Sequence, residues 1–228
     1  MNQDPTTPSP WDLRSIVPDS LRRERNAFLR LGPKAGPIYA RLRLLDLVGV
    51  RSPNRRRVPS GARSFLFVCF GNLMRSPMAE AFFRKAVNDA ELRGIRIDSA
   101  GLHAVPGSEA HPWALIASRE IGVPLASHRA RLVTADLVRQ ADVVLAMDFQ
   151  NKAELLARFP EFGSKILMLS AYAEGPLRNR EIPDPYFGDI DGTRRCYGVL
   201  QTCIRNLTGE LLTFSKQRES ADPTAVQS

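Results

Sequence analysis

Cysteine is scarce in this chain, three in 228 residues, and an odd, widely spaced set does not make a disulfide framework. Histidine is equally scarce, and no His, Cys and carboxylate cluster stands at metal-ligand spacing, so neither a metal nor another cofactor is expected. No apolar run approaches the ~20 residues needed to cross a bilayer. The start, Met1 to Pro10, lacks a basic region followed by an apolar one and does not read as a secretory signal. A reducing, cytoplasmic setting is the expectation.

Charge is plentiful but unevenly placed. Residues 1–63 hold 13 Lys+Arg and 5 Asp+Glu, while residues 64–228 hold 19 of each. The whole excess of +8 therefore belongs to the amino-terminal segment. Residues 1–18, rich in Pro, Ser and Thr, read as lacking fixed structure. From the plausible cap Asp19-Ser20, Leu21 to Leu31 reads as a basic amphipathic helix, which Gly32-Pro33 and Gly36-Pro37 break. A second helix is expected from Ile38 to Val48, with Ile38, Leu42 and Leu45 on one face. Ser52 to Gly61 is a charged linker, which puts a domain boundary near residue 62, with a tail over 217–228. The basic extension suits a packed helical arm, a partner protein or an anionic membrane surface reached through residues 19–60. Nucleic acid is the weakest partner, because no aromatic interleaving or nucleic-acid motif accompanies the charge.

The catalytic signal lies just beyond. Ser64-Phe-Leu-Phe-Val-Cys69 is an apolar, aromatic and β-branched run that reads as a buried strand. Gly71 and Asn72 interrupt it with residues that tolerate unusual backbone conformations. Pro77 suits a first helical position, and Met78 to Val87 continues as a helix. Strand, tight loop and helix in that order converge loop N–H groups and a helix N-terminus on one point, a ready site for phosphate. Arg75 adds a planar fork able to grip two oxygens. The same positive field favours the thiolate of Cys69, the nucleophilic form. A thiolate facing phosphate points to phosphoryl transfer through phosphocysteine. A bare Cys-x5-Arg spacing specifies little; the strand and helix around it sharpen the signal.

Downstream, short strands at Ile95–Ser99, Val143–Met147 and Lys165–Ser170 alternate with helices at Pro112–Ile121, Asn151–Phe159 and Thr193–Phe214. That alternation implies an α/β fold with a parallel sheet covered on both faces.

The stretch Val68-Cys-Phe-Gly-Asn-Leu-Met-Arg-Ser-Pro-Met-Ala-Glu80 resembles the phosphate loop of the low-molecular-weight protein-tyrosine phosphatases. The likeness continues through Asp98–Gly101, Ser127–Arg131, Ala141–Asp148 and Asp184-Pro-Tyr186, over roughly Arg63 to Phe214. It implies a doubly wound four-stranded parallel sheet of order 2-1-3-4, with the end of the first strand at the switch point where ligands bind. It implies a metal-independent phosphatase for phosphotyrosine in proteins, with Cys69 as nucleophile and Arg75 holding the phosphate. Asp184 would be the general acid, then the base that activates water.

Phe70, Gly71, Asn72, Leu73, Met74 and Ser76 would line or support the phosphate loop. Ser76 is able to donate to the thiolate or to cap the helix, and Tyr186 would form a substrate wall. Met74 stands where many relatives carry a second cysteine. Val105 stands near a usual Trp or Tyr, and Phe187 replaces a second Tyr.

Two rivals share the loop. A thioredoxin-coupled arsenate reductase would need two more cysteines mid-chain, and residues 132–195 contain none. A phosphoarginine phosphatase would carry Thr in place of Leu73. Cys196 and Cys203, on one face of the last helix, are expected to fill core. The histidines are expected to be structural, and residues 1–60 dispensable for turnover of a small aryl phosphate.

Overall fold

The computed structural model describes residues 19–48, 58–178 and 180–221. The unstructured start expected at 1–18, most of the charged linker and the end of the tail lie outside the described residues.

Four parallel strands, β1 (Ser64–Cys69), β2 (Arg96–Gly101), β3 (Val143–Ala146) and β4 (Ile166–Met168), form one sheet in the order β2-β1-β3-β4. The expected order 2-1-3-4 is the observed one. Every residue of β1 is buried, because both faces of the sheet are covered. Strand alternation then assigns the side chains. Phe65, Phe67 and Cys69 enter one core with α2 (Arg75–Asp89), α3 (Pro112–Glu120) and α6 (Ile190–Ala221). Leu66 and Val68 enter the other with α4 (Ala135–Gln140) and α5 (Phe149–Arg158). Phe83 sets its ring edge-on to both Phe65 and Phe67, at centroid distances of 4.9 and 5.6 Å. β1 pairs with β2 on one side and β3 on the other, with Cys69 opposite Gly101 and Val68 opposite Ala146. The carboxyl end of β1 thus lies where the strand order reverses, the place where open α/β sheets bind their ligands.

The amino-terminal arm differs from expectation. Helix α1 spans Asp19–Leu47 with one non-helical residue, Gly32, at φ 69° and ψ −172°. Gly32 is a break, but Gly36-Pro37 is not. Pro33 opens the second half; Pro37, four residues on, forfeits the bond to the Pro33 carbonyl, yet the helix continues through it to Leu47, with Ala35 and Tyr39 buried on either side. At Gly36 a Cβ would sit 3.0 Å from the Phe28 carbonyl oxygen, so glycine lets the two halves close on each other. Ala27 and Tyr39 are buried in the same core as Phe149, Ala153 and Leu155 of α5. The arm therefore completes one face of the sheet domain, the packed alternative among those the charge left open. The described end of the linker is anchored too: Val58 is buried and its N–H donates to the Tyr172 hydroxyl at 3.1 Å.

Other differences are local. Helix α4, six residues capped by the Thr134 hydroxyl, was not anticipated, since it is too short to show a period. α2 begins at Arg75, not Pro77, and α6 runs to Ala221, past Phe214 and into the expected tail. Among the described residues no helix is long and apolar enough to cross a membrane.

Candidate active site

The turn after β1 is held by Asn72. Its backbone is left-handed, φ 55°, and its side chain is fully buried. The amide Nδ2 donates to the Ser76 and Ser99 hydroxyls, both at 2.9 Å, and Oδ1 accepts the Arg131 N–H at 2.8 Å. Its carbonyl oxygen accepts from His128 Nε2 at 2.7 Å. Asparagine serves here because it both reaches those partners and tolerates the left-handed backbone. Gly101 lets the loop close on β2: a Cβ there would lie 2.7 Å from Asn72 N and 2.8 Å from the Phe70 oxygen. Without glycine at that position the loop would have to move.

The sulfur of Cys69 lies 3.2 Å from the Asn72 N–H and 3.0 Å from the Ser76 hydroxyl. With the sulfur ionised, both donate to it. Ser76 does not cap α2; Met74 occupies the cap position and makes no side-chain cap bond.

Arg75, 2 % exposed, turns its guanidinium away from solvent. One terminal nitrogen donates to Asp148 Oδ2 at 2.7 Å and to the Ile182 carbonyl at 3.2 Å. The other donates to Asp184 Oδ2 at 2.6 Å. Burial works against the charge, but Asp148, Asp184 and Cys69 outweigh it and hold Arg75 above the ordinary arginine range. Asp148 is fixed in turn by capping α5, accepting the Asn151 N–H at 2.7 Å. The loop carrying Asp184 is tied to the sheet where the Ile182 N–H meets the Met147 oxygen at 2.9 Å.

Cys69, Arg75, Ser76, Asn72 and Asp184 are thus brought together in one constellation. Asp148, Ser99, Arg131 and Gly101 also hold it together, and no role was read for them. All four stand inside the stretches Asp98–Gly101, Ser127–Arg131 and Ala141–Asp148 that carried the resemblance.

Around the mouth, Phe70 is half exposed and stacks on His103 at 4.5 Å. Tyr186, 42 % exposed, has His111 at 5.3 Å and the fully exposed Phe187 at 4.9 Å. Leu73 is partly buried, and its carbonyl accepts the His111 N–H at 3.0 Å. Met74 is buried, and Val105 is exposed. Gly71 makes no close approach, since an added Cβ would meet only Leu73 at 3.6 Å. Cys196 and Cys203 are buried in the α6 core, and burial pushes both thiols up to about 12. Among the described residues no group of three or more His, Cys, Asp or Glu side chains could hold a metal ion.

The described chain matches known proteins over this same region. Residues 64–218 match the family described as low molecular weight phosphotyrosine protein phosphatase. The chain belongs to that family. As a member it is a phosphatase, a phosphoric monoester hydrolase with phosphoproteins as its substrate class. The match starts at the first residue of β1, leaving the α1 arm outside the family's common part.

Similar proteins include the low molecular weight protein-tyrosine-phosphatase Etp of Escherichia coli K12. It is 35 % identical over 138 residues, 60 % of this chain and 87 % of that one. The protein-arginine-phosphatase of Bacillus subtilis is 35 % identical over 146 residues, 64 % and 95 % of the two chains. The crystal structure of the Erwinia amylovora tyrosine phosphatase AmsI superposes with TM-score 0.60 at 31 % identity. It covers 66 % of this chain and 93 % of that one.

Proposed function

We propose that this phosphatase hydrolyses phosphotyrosine in proteins, and small aryl phosphates, through a phosphocysteine on Cys69. The observation that carries the reading is the Arg75 fork. It lies six residues after Cys69 and donates to Asp184, 109 residues further on. Nucleophile, phosphate clamp and proton carrier therefore meet in one crevice.

A phosphate monoester seated in the loop takes over the fork, freeing the Asp184 carboxyl to face the leaving oxygen. The Cys69 sulfur attacks phosphorus and the P–O bond to the leaving group breaks. Asp184 gives its proton to the departing phenolate. In the second half Asp184 takes a proton from water, whose oxygen attacks phosphorus as the P–S bond breaks. Ser76 donates to the departing thiolate and Arg75 holds the phosphoryl oxygens throughout. Asn72, Gly71, Phe70, Leu73 and Met74 give the loop its shape, while the rings of Tyr186 and Phe70 flank a flat substrate group.

A second reading, phosphoarginine hydrolysis, is favoured by the Bacillus subtilis relative. Leu73, apolar and branched, argues for an aryl group instead. Purified full-length protein assayed on a phosphotyrosine peptide, an aryl phosphate, phosphoarginine and arsenate separates the readings. The expected result is a higher kcat/KM on phosphotyrosine than on phosphoarginine, no arsenate reduction, and loss of turnover in Cys69→Ser. Faster phosphoarginine hydrolysis would move the assignment to the second reading. Appreciable kcat in Cys69→Ser would exclude the phosphocysteine route.

A further inference from the structure

The arm builds something beyond a cover for α5. Between α1 and α5 lies an open groove of about 630 Å³ that is also lined by Phe70, the residue next to the nucleophile. Gly32 turns the arm so that Arg30, just before the bend, and Lys34, just after it, line the same groove. Arg30 donates to the neutral Gln150 side chain at 2.8 Å, so its charge is not cancelled there. The facing wall carries Glu154, Arg158 and His103. Glu154 is engaged by both Arg158 and His103, and Arg158 also donates to the Leu102 carbonyl at 3.0 Å. Apart from His103, the groove holds three positive side chains and one negative, an excess of two supplied by the arm.

We infer that this groove is a substrate-flanking subsite, and that it takes acidic side chains of the peptide on one side of the phosphorylated residue. The inference rests on the phosphatase reading and adds a substrate class to it. A peptide leaving the phosphate site across Phe70 runs directly into the space between Arg30 and Arg158. From Gln150 to Arg158 the α5 wall is roughly 12 Å long at the usual helical rise. That length accommodates about three or four extended residues at ~3.4 Å each. The charges are spread along the groove instead of converging on one point, which suits successive Asp or Glu side chains better than a single free anion. The catalytic region is electrically neutral, and the arm brings Arg30 and Lys34 to the groove beside Phe70. Neither Arg30 nor Lys34 touches the reacting groups, so they act on peptides and not on the chemistry.

Two phosphotyrosine peptides of equal length, one with Asp and one with Asn at the flanking positions, test this on the full chain. An exposed charge pair is worth up to about fivefold, so kcat/KM should favour the acidic peptide by roughly five- to tenfold at low ionic strength. The preference should fall towards parity in about 0.5 M salt, where exposed charges are screened. The double variant Arg30→Gln/Lys34→Gln should erase the preference while keeping kcat/KM on a small aryl phosphate within about twofold, as expected of exposed residues remote from the chemistry. Equal rates on the two peptides in the wild type, or an undiminished preference in the double variant, would overturn the subsite. Failure of the wild type on the aryl phosphate would instead overturn the phosphatase reading. In that case calorimetric binding of the same two peptides still decides the subsite, with equal affinities counting against it.

Discussion

Replacing Asn72 with Ala should damage the fold as much as the chemistry. Alanine has no polar side chain to support the left-handed backbone at φ 55°, a cost of about 1 kcal/mol. Three side-chain hydrogen bonds disappear. The Arg131 N–H, which met Oδ1, is left without that partner in a part-buried position, worth ~1–3 kcal/mol. The Ser76 and Ser99 hydroxyls each lose a donor, for about 1 kcal/mol apiece. The sum is roughly 4–6 kcal/mol, a large fraction of the ~5–15 kcal/mol that holds an ordinary domain together. Urea unfolding should show the midpoint falling with the slope unchanged. Where the variant still folds, kcat should fall by roughly 10- to 100-fold, because the backbone N–H and the Ser76 hydroxyl that donate to the Cys69 sulfur are no longer held in place.

Asn72→Asp separates the two effects. It keeps the acceptor for Arg131 and tolerates the backbone, but its charge lies beside Ser76 and draws that hydroxyl away from Cys69. Its stability should exceed that of Asn72→Ala while its activity stays low. An Asn72→Ala protein within about 1 kcal/mol of the wild type, with normal kcat, would refute the account of the loop.

Asp184→Asn should lower kcat by about 10²-fold or more for a poor leaving group and far less for a very acidic phenol that departs without a proton; equal losses would make Asp184 structural. Deleting residues 1–60 should still leave kcat on a small aryl phosphate nearly unchanged, since neither Cys69, Arg75 nor Asp184 touches the arm. It should lower stability by roughly 3 kcal/mol or more, read by thermal unfolding, because Ala27 and Tyr39 no longer cover α5. Full stability in the truncated protein would show the arm to be a loose appendage. Burial lowers the folded pKa of His128 below 6.5, against the pull of the Asn72 carbonyl. Its contribution to stability is therefore complete above pH 6.5 and is lost as pH falls through the lowered folded value. The stability difference between wild type and His128→Gln should shrink across that window, and a difference that grows on acidification would reverse the assignment.

Some of this molecule is written in neighbouring residues. The buried run Ser64–Cys69, the break at Gly71-Asn72 and the helix that starts at Arg75 place the Cys69 sulfur and the Arg75 fork within seven residues, so local backbone preferences decide their geometry. The stop at Gly32 was legible for the same reason, a residue free to take φ 69°. Pro37 does not end the helix although its missing N–H forfeits the bond to the Pro33 carbonyl, because the burial of Ala35 and Tyr39 outweighs that local loss, and burial is not visible in neighbouring residues. The bare strand-helix alternation announced a parallel sheet but not its order, which came from the resemblance.

Tertiary structure alone decided the rest. The Arg75 fork meets Asp148 and Asp184, 73 and 109 residues away, because β1 and β3 are neighbours and the Ile182 loop is pinned to Met147. Asn72 finds Ser99 and Arg131 because β2 lies beside β1 in register and Gly101 lets the loop approach it. The arm's charge found its position the same way. Arg43 joins Glu24 to Glu181, whose carboxyl burial and Asp148 raise while it accepts the Phe149 N–H at 3.0 Å. A sequence states which groups carry charge and how the chain turns around them. Which distant groups face each other follows from how sheet and helices exclude water together, and no short stretch of residues contains that information.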